Sequence, residues 1–377
     1  MRFVSKFYIL VALAGCSILF SVRLLWMSSD YMPISPGHDP AFQVTEKRLV
    51  VFGDSWSDSA SRDEEQGPLW TEWLCSMFSC YLENMAQTAS VFQGAYAGAV
   101  IDNAELQSFE SGLSWLRRPL PDLRSQIDQW SAAEQDFLRK EGLSGEAIQE
   151  RQSNTIFAVS FMVWDLWKFV GEDYNLASQS ISHSIDSLFE QLTILSERWA
   201  SNDSKIILMM AVDVTFLPAF PQSLEEQKNM VSLVSSWNNV LRGKAKEWDH
   251  GSIYLFDTNH FMLDQIREWQ FFAAGMIDAN ELGKNEDPGW VDVAHACVQT
   301  RKKGLFSSET PCENPEKYLF WDDMHLGPSA HRILGTEVFR GIEELWLNHT
   351  APEPQSRESA SETGSQSENK SKRFAGS

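Results

Sequence analysis

The sequence predicts an α/β protein, a three-layer α/β/α sandwich around a mainly parallel sheet. Three observations carry this expectation. Short continuous apolar runs recur along the chain, as in Leu49-Val50-Val51-Phe52. Strands buried on both faces read this way, without alternation. Between the runs lie longer stretches with apolar residues at helical spacing, which supply the covering layers. Polar residues then follow the runs directly: Asp54 and Ser55, Asp165, and Asp213. In open parallel sheets, ligands bind beyond the carboxyl ends of the strands.

The elements follow in order. Residues 49–52 form the first strand, stopped by Gly53, and 70–80 the helix after it. Residues 90–100 are rich in Gly and Ala and read as a strand passing into a tight loop. The apolar run 155–164 is a buried strand ending at Asp165, and 177–199 an amphipathic helix. Residues 205–212 are the next strand, 227–248 a helix, and 253–256 a strand that stops at Asp257. A final helix covers 328–346, with Pro328 suited to its first turn.

Hydrophobic residues make up 43% of the 377, with 15 Trp and 23 Phe. That is enough for a large core, which excludes a wholly disordered chain or a small staple-dependent one. Lys and Arg number 31 against 52 Asp and Glu, a net charge of -21. This balance argues against a nucleic-acid partner, since such binders carry a basic surface.

The two ends differ from the body. Residues 7–22 carry no charge and follow Arg2 and Lys6, and apolar character resumes after Arg23 as far as Met27. Residues 1–27 are expected to be a signal anchor, with a cleaved signal peptide as the alternative. Basic residues ahead of the segment favour a cytosolic N-terminus and a lumenal or extracellular body, with the membrane as a partner. Residues 28–45 read as a linker, 46–347 as one domain, and 348–377 as a disordered polar tail rich in Ser and Glu. Oligomeric state is not legible.

Ser55 lies just after the first strand, beside the permissive Gly53. It can cap a helix, as serine often does, or present its hydroxyl to the cleft. Near the other end, Trp321-Asp322-Asp323-Met324-His325 precedes the last helix. In a turn, Asp322 can hold one imidazole nitrogen of His325 while the other faces a serine. Serine needs such a base, because its neutral hydroxyl is a poor nucleophile. Two alternatives stay open: Asp323 as the orienting acid, or His325 as an exposed loop residue. Asp292 and His295 repeat the spacing elsewhere.

Three blocks now stand in order: F-G-D-S-W-S-D at 52–58, Tyr96-Ala97-Gly98-Ala99-Val100-Ile101-Asp102-Asn103, and F-W-D-D-M-H at 320–325. In these the chain resembles the GDSL, or SGNH, hydrolase family, most of all secreted fungal esterases similar to carbohydrate acetylesterases. The resemblance spans about residues 49–335. It implies an SGNH hydrolase-like, flavodoxin-like sandwich. It also implies Ser55 as nucleophile with His325 and Asp322 as its partners, and backbone N–H groups of Ser55 and Gly98 in an oxyanion hole. The motif is not the G-x-S-x-G elbow of other lipases.

One block departs from the pattern. The family carries Gly-x-Asn-Asp after its third main strand, and the Asn side chain donates to the oxyanion. Here Met162-Val163-Trp164-Asp165 stands at that place. The indole N–H of Trp164 is a donor, so Trp164 either serves in the hole or merely fills it. Losing one such donor costs about 2.7–4 kcal/mol of transition-state stabilisation.

The resemblance implies a carboxylic ester hydrolase acting on a small-molecule or glycan ester, first a short acyl group on a carbohydrate. A lipase or lysophospholipase of the same family is the second reading. A non-catalytic glycan- or lipid-binding relative is the third, motivated by Trp164. Asp54, Trp56 and Asp165 are expected to bind substrate. No zinc, nucleotide-binding or phosphate-loop motif is present in the sequence, so neither a metal nor a cofactor is expected. Cys16 lies in the apolar N-terminal segment, and the other four cysteines allow three pairings. Cys297–Cys312, bracketing the polar loop before the His block, is the expected bridge; Cys75 and Cys80 are a bridge or two buried thiols. Asn202, Asn348 and Asn369 begin glycosylation sequons.

Overall fold

A computed structural model describes residues 47–88, 98–103, 120–201, 203–220, 223–276, 289–303, 306–310 and 312–347. The expected anchor, linker and tail, with Asn348, lie outside the described residues, as does Asn202.

The chain runs β1 (Arg48–Gly53), α1 (Trp70–Phe78), β2 (Tyr81–Asn84), α2 (Leu123–Glu141), α3 (Gly145–Ser153), β3 (Thr155–Ser160), α4 (Val163–Trp167) and α5 (Tyr174–Trp199). It continues as β4 (Ser204–Met209), α6 (Leu224–Glu247), β5 (Gly251–Phe256) and α7 (Thr258–Ala273). Short strands β6 (Asp292–Ala296), β7 (Gln299–Lys303), β8 (Phe306–Thr310) and β9 (Tyr318–Phe320) precede α8 (Pro328–Ile342).

The main sheet has the order β2-β1-β3-β4-β5, and every pairing in it is parallel. Helices flank it to make the three-layer α/β/α sandwich the apolar runs predict. α1 packs against α8, while α2, α5 and α6 pack in series. The runs are buried as expected: residues 49–52 of β1 and 157–159 of β3 are all at most 1% exposed. Helix ends follow local chemistry. The Asp122 carboxylate accepts the Ser125 N–H at 2.8 Å to start α2, and Gly142 closes it in the left-handed region at φ 59°.

Strand order decides where a ligand belongs. From β1 the chain moves outward to β2, then returns to β3 on the other side. The crevice at this reversal, beyond the carboxyl ends of β1 and β3, is where such sheets bind ligands. Ser55 follows β1 and Met162–Asp165 follow β3 there. The opposite edge is closed by charge: buried Arg48 bonds Glu83 at 2.6 Å and Glu134 at 2.9 Å.

Two sequence expectations need correction. The strand expected over 155–164 ends at Ser160, and Val163–Trp167 is a short helix. A continuous apolar run cannot distinguish a buried strand from a buried helical turn. Most of the strand expected over 90–100 lies outside the described residues; of its end, Gly98 pairs with Thr88 and Val100 with Asp122 as isolated bridges.

Candidate active site

The turn after β1 is built by its own residues. Trp56 N–H donates to Asp54 Oδ1 at 3.0 Å, and Ser57 N–H to the Asp54 carbonyl at 3.0 Å. Gly53 is required, because a Cβ there would sit 2.9 Å from the Ser160 carbonyl oxygen. No helix begins at Ser55, so its hydroxyl caps none. That oxygen lies 2.8 Å from Nε2 of His325 and accepts the indole N–H of Trp164 at 3.1 Å.

The histidine comes from the turn between β9 and α8. Backbone N–H groups of Met324 and His325 both donate to Asp322 Oδ1 at 2.8 Å, a self-bonded aspartate turn. Trp321 N–H closes it on the His325 carbonyl at 2.8 Å. The same Asp322 carboxylate takes the imidazole: Nδ1 lies 2.9 Å and 2.8 Å from its two oxygens. Asp322, not Asp323, is therefore the acid on His325. Trp56 ties the two loops together, its indole N–H donating to the Met324 carbonyl at 2.9 Å.

Charges reinforce this chain. Burial alone would lower the His325 pKa, but the charge of Asp322 and its hydrogen bond outweigh it and hold the value above 6.5. Burial would raise Asp322; the imidazole and the turn N–H groups win, and its pKa lies below the usual 3.8.

Behind Ser55 lie two carboxyl groups that see no solvent. Asp54 and Asp165 are both 0% exposed. Burial pushes Asp54 up to about 7 and Asp165 up to about 6. Asp165 accepts the Ile101 N–H on both oxygens, at 3.1 Å and 3.2 Å, so it holds the Gly98–Ile101 loop. These positions correct the sequence reading of Asp54, Trp56 and Asp165 as substrate-binding. Trp56 is 1% exposed; all three shape the site from behind and none faces the cleft. Trp167, at the end of α4, packs edge-on against Phe220 at 6.2 Å.

Trp164 and Gly98 are in direct contact. A Cβ on Gly98 would fall 2.0 Å from the Trp164 Nε1 and 2.1 Å from its Cδ1. Gly98 itself is tethered through Thr88, whose N–H donates to Asp58 Oδ2 at 2.7 Å. The second aspartate of the F-G-D-S-W-S-D block thus links the Ser55 turn to the Gly98 loop.

A cleft of about 220 Å³ opens at Ser55 and His325. Arg62, Gln66, Thr88, Trp321 and Asp323 contribute to its walls. Arg62 is fixed by Glu72 at 2.5 Å, and Gln66 donates to the Leu326 carbonyl at 2.8 Å. Sequence reasoning missed Arg62, Gln66 and Thr88. A usable signal existed for the first two: they lie in the loop after β1, at the ligand-binding edge.

Elsewhere, Asp292 and His295 do meet, at 3.0 Å, but His295 is exposed on the surface. Cys297 is bonded to Cys312 and Cys75 to Cys80. Among the described residues, no cluster of His, Cys, Asp or Glu is arranged to hold a metal, and no helix is long and apolar enough to cross a membrane.

No protein-family model matches this chain, and no curated protein does. Among solved structures, it is similar to the acetylxylan esterase Axe2 of Geobacillus stearothermophilus, at 11% identity and TM-score 0.34, over 78% of this chain and 94% of that one. LAE5, an alpha/beta hydrolase from the metagenome of Lake Arreo, matches at 12% and 0.29, over 78% and 94%. Phospholipase A1 of Streptomyces albidoflavus NA297 matches at 12% and 0.30, over 72% and 94%. Likenesses this loose carry no function across.

Proposed function

We propose that the protein is a serine hydrolase of carboxylic esters, of the GDSL/SGNH kind. One observation carries the reading: Ser55 Oγ, the His325 imidazole and the Asp322 carboxylate form one hydrogen-bonded chain, each link at 2.8 Å. In the proposed reaction, His325 Nε2 takes the hydroxyl proton as Ser55 Oγ attacks the ester carbonyl. Asp322 fixes the Nδ1–H tautomer and stabilises the imidazolium. The backbone N–H groups of Ser55 and Gly98 and the indole N–H of Trp164 receive the charge on the carbonyl oxygen. His325 then protonates the leaving alcohol, and water, activated by the same base, releases the acyl group.

The cleft walls favour a polar alcohol. Arg62, Gln66, Thr88 and Asp323 offer donors and acceptors suited to a hydroxyl-rich leaving group. A short acyl ester of a carbohydrate therefore fits better than a lipid. The two disulfides favour an oxidising compartment, in keeping with a secreted body or one anchored by residues 1–27.

The test is a panel of short-chain nitrophenyl esters, acetylated glycans and lysolipids, assayed with the purified protein beside Ser55→Ala. Turnover lost in Ser55→Ala supports the reading; equal turnover in both sinks it. A second reading, a non-catalytic glycan- or lipid-binding relative, is favoured by the indole pressed against Gly98. It predicts binding of intact ester with no product, unchanged by Ser55→Ala.

A further inference from the structure

The surroundings of Ser55 are uneven. At Ser55 and His325 the site opens into the cleft bounded by Arg62, Gln66, Thr88, Trp321 and Asp323. Trp164 stands outside those walls, 6% exposed and 3.1 Å from Ser55 Oγ. It lies so close to Gly98 that a Cβ there would be 2.0 Å from its Nε1. Ala99, Val100, Ile101 and Val163, next to these two residues in the chain, are at most 1% exposed.

Ester chemistry assigns these surroundings. The leaving oxygen must lie within reach of His325 Nε2, which returns a proton to it. The open cleft beside His325 therefore takes the alcohol. The carbonyl oxygen turns toward the N–H donors, and the fourth substituent, the acyl chain, points away from the imidazole and must leave past the residues that carry those donors, Gly98 and the indole ring. We propose that Trp164 sets the acyl length: its ring leaves room for an acetyl group and turns away longer chains. This rests on the ester-hydrolase reading and adds a specificity role to the residue that reading uses as a donor.

One methylene too many in a fitted apolar pocket changes kcat/KM by about 10–200-fold. The test is kcat/KM for nitrophenyl acetate, propionate, butyrate and hexanoate, with wild type, Trp164→Ala and Trp164→Phe. Wild type is expected to fall at least about tenfold from acetate to butyrate. Trp164→Ala should lose acetate turnover with the donor, yet raise the butyrate-to-acetate ratio by about tenfold or more. Trp164→Phe keeps the bulk without the N–H, so its turnover falls while its ratio stays near wild type. The ratio is blind to a uniform loss of folded enzyme, and Trp164→Leu repeats the test with a smaller void should the Ala variant not fold. A wild type as fast on butyrate as on acetate, or a ratio unmoved in Trp164→Ala, overturns the acyl-length role and leaves the esterase standing. A wild type that cleaves none of the esters overturns both.

Discussion

A methyl group on Gly98 would fall 2.0 Å from the indole nitrogen of Trp164, so these two positions cannot vary independently. Glycine here serves close approach, since the indole fills the space a side chain would need. Gly98→Ala is expected to cost about 1–3 kcal/mol of stability, as overpacking does, and to displace the indole from Ser55 Oγ. The proposed esterase activity should then fall at least about a hundredfold, the scale of one oxyanion donor. Gly98→Ala combined with Trp164→Asn restores space and a donor, and should recover stability and part of kcat/KM. A single Gly98→Ala variant with wild-type melting temperature and activity would refute the coupling.

In the proposed reaction the Asp322–His325 pair sets the pH profile. As the proposed base, His325 must be neutral, and its pKa is held above 6.5. Activity should therefore be present at high pH and fall as pH drops through a midpoint above 6.5. In Asp322→Asn the larger raising charge is gone and burial is opposed only by the weaker pull of Asp54, so the midpoint moves to lower pH. The wrong tautomer also becomes available, and kcat should drop by about 10⁴-fold. Profiles of kcat/KM for both proteins between pH 5 and 9 decide; coincident acid limbs would separate Asp322 from the titration of His325.

How much of this was legible beforehand follows from physical scale. The first strand, the helix after it and the strands of residues 204–209 and 251–256 announce themselves as uninterrupted apolar runs or amphipathic stretches. Ser55, Asp322 and His325 were readable because short turns fix their neighbours in sequence. The burial of Asp54, Trp56 and Asp165 was not, because it depends on what the β1 and β3 turns pack against from far along the chain. Trp56 reaches Met324, 268 residues away. Helices α2 and α7 were also missed. Their apolar faces are diluted by polar residues such as Gln126 and Gln265, which are nevertheless buried. Gln126 is buried because it bonds both the N–H and the carbonyl of Gly53, each at 2.9 Å, a tertiary fact no local pattern holds.

His331 should govern acid stability. It is buried in α8, its Nδ1 accepting the Trp70 N–H at 3.3 Å to start α1. Burial, followed by the charges of His325 and Arg62, pushes its pKa down to about 3. Between 6.5 and 3 the unfolded chain binds a proton that the folded chain refuses, so this contribution to stability is lost as pH falls through that window. From pH 7 to 5 the loss is about 2 kcal/mol. Asp54 and Asp165 act in the opposite sense. Their folded pKa values of about 7 and 6 exceed 3.8, so their contributions are lost as pH rises. His331→Asn should thus be less stable at pH 7 yet lose less on acidification. Urea midpoints at pH 7 and 5 measure this, and an equal acid loss in both proteins would exclude His331 as the cause.

The two disulfides should differ in worth. Cys297–Cys312 spans 15 residues and Cys75–Cys80 spans 5. Closing the longer loop removes more freedom from the unfolded chain, about 3 kcal/mol against about 2. Position separates them further. Cys297 N–H donates to the Phe320 carbonyl at 3.0 Å and Val298 N–H to the Trp321 carbonyl at 2.7 Å. The bridged segment thus continues the β6–β9 pairing as far as Trp321, the residue before Asp322, and Val298 and Trp321 line the cleft. Replacing Cys297 and Cys312 by Ser should lower the urea midpoint and also kcat/KM, because the turn that carries Asp322 and His325 loses its brace. Replacing Cys75 and Cys80 by Ser should cost less stability and leave kcat/KM within about twofold, since that bridge sits at the end of α1. Both double variants, compared in urea melts and in ester kinetics, give the answer. Wild-type kcat/KM in the Cys297/Cys312 variant would show that the β6–β9 pairing and the Asp322 turn hold Asp322 and His325 without the bridge.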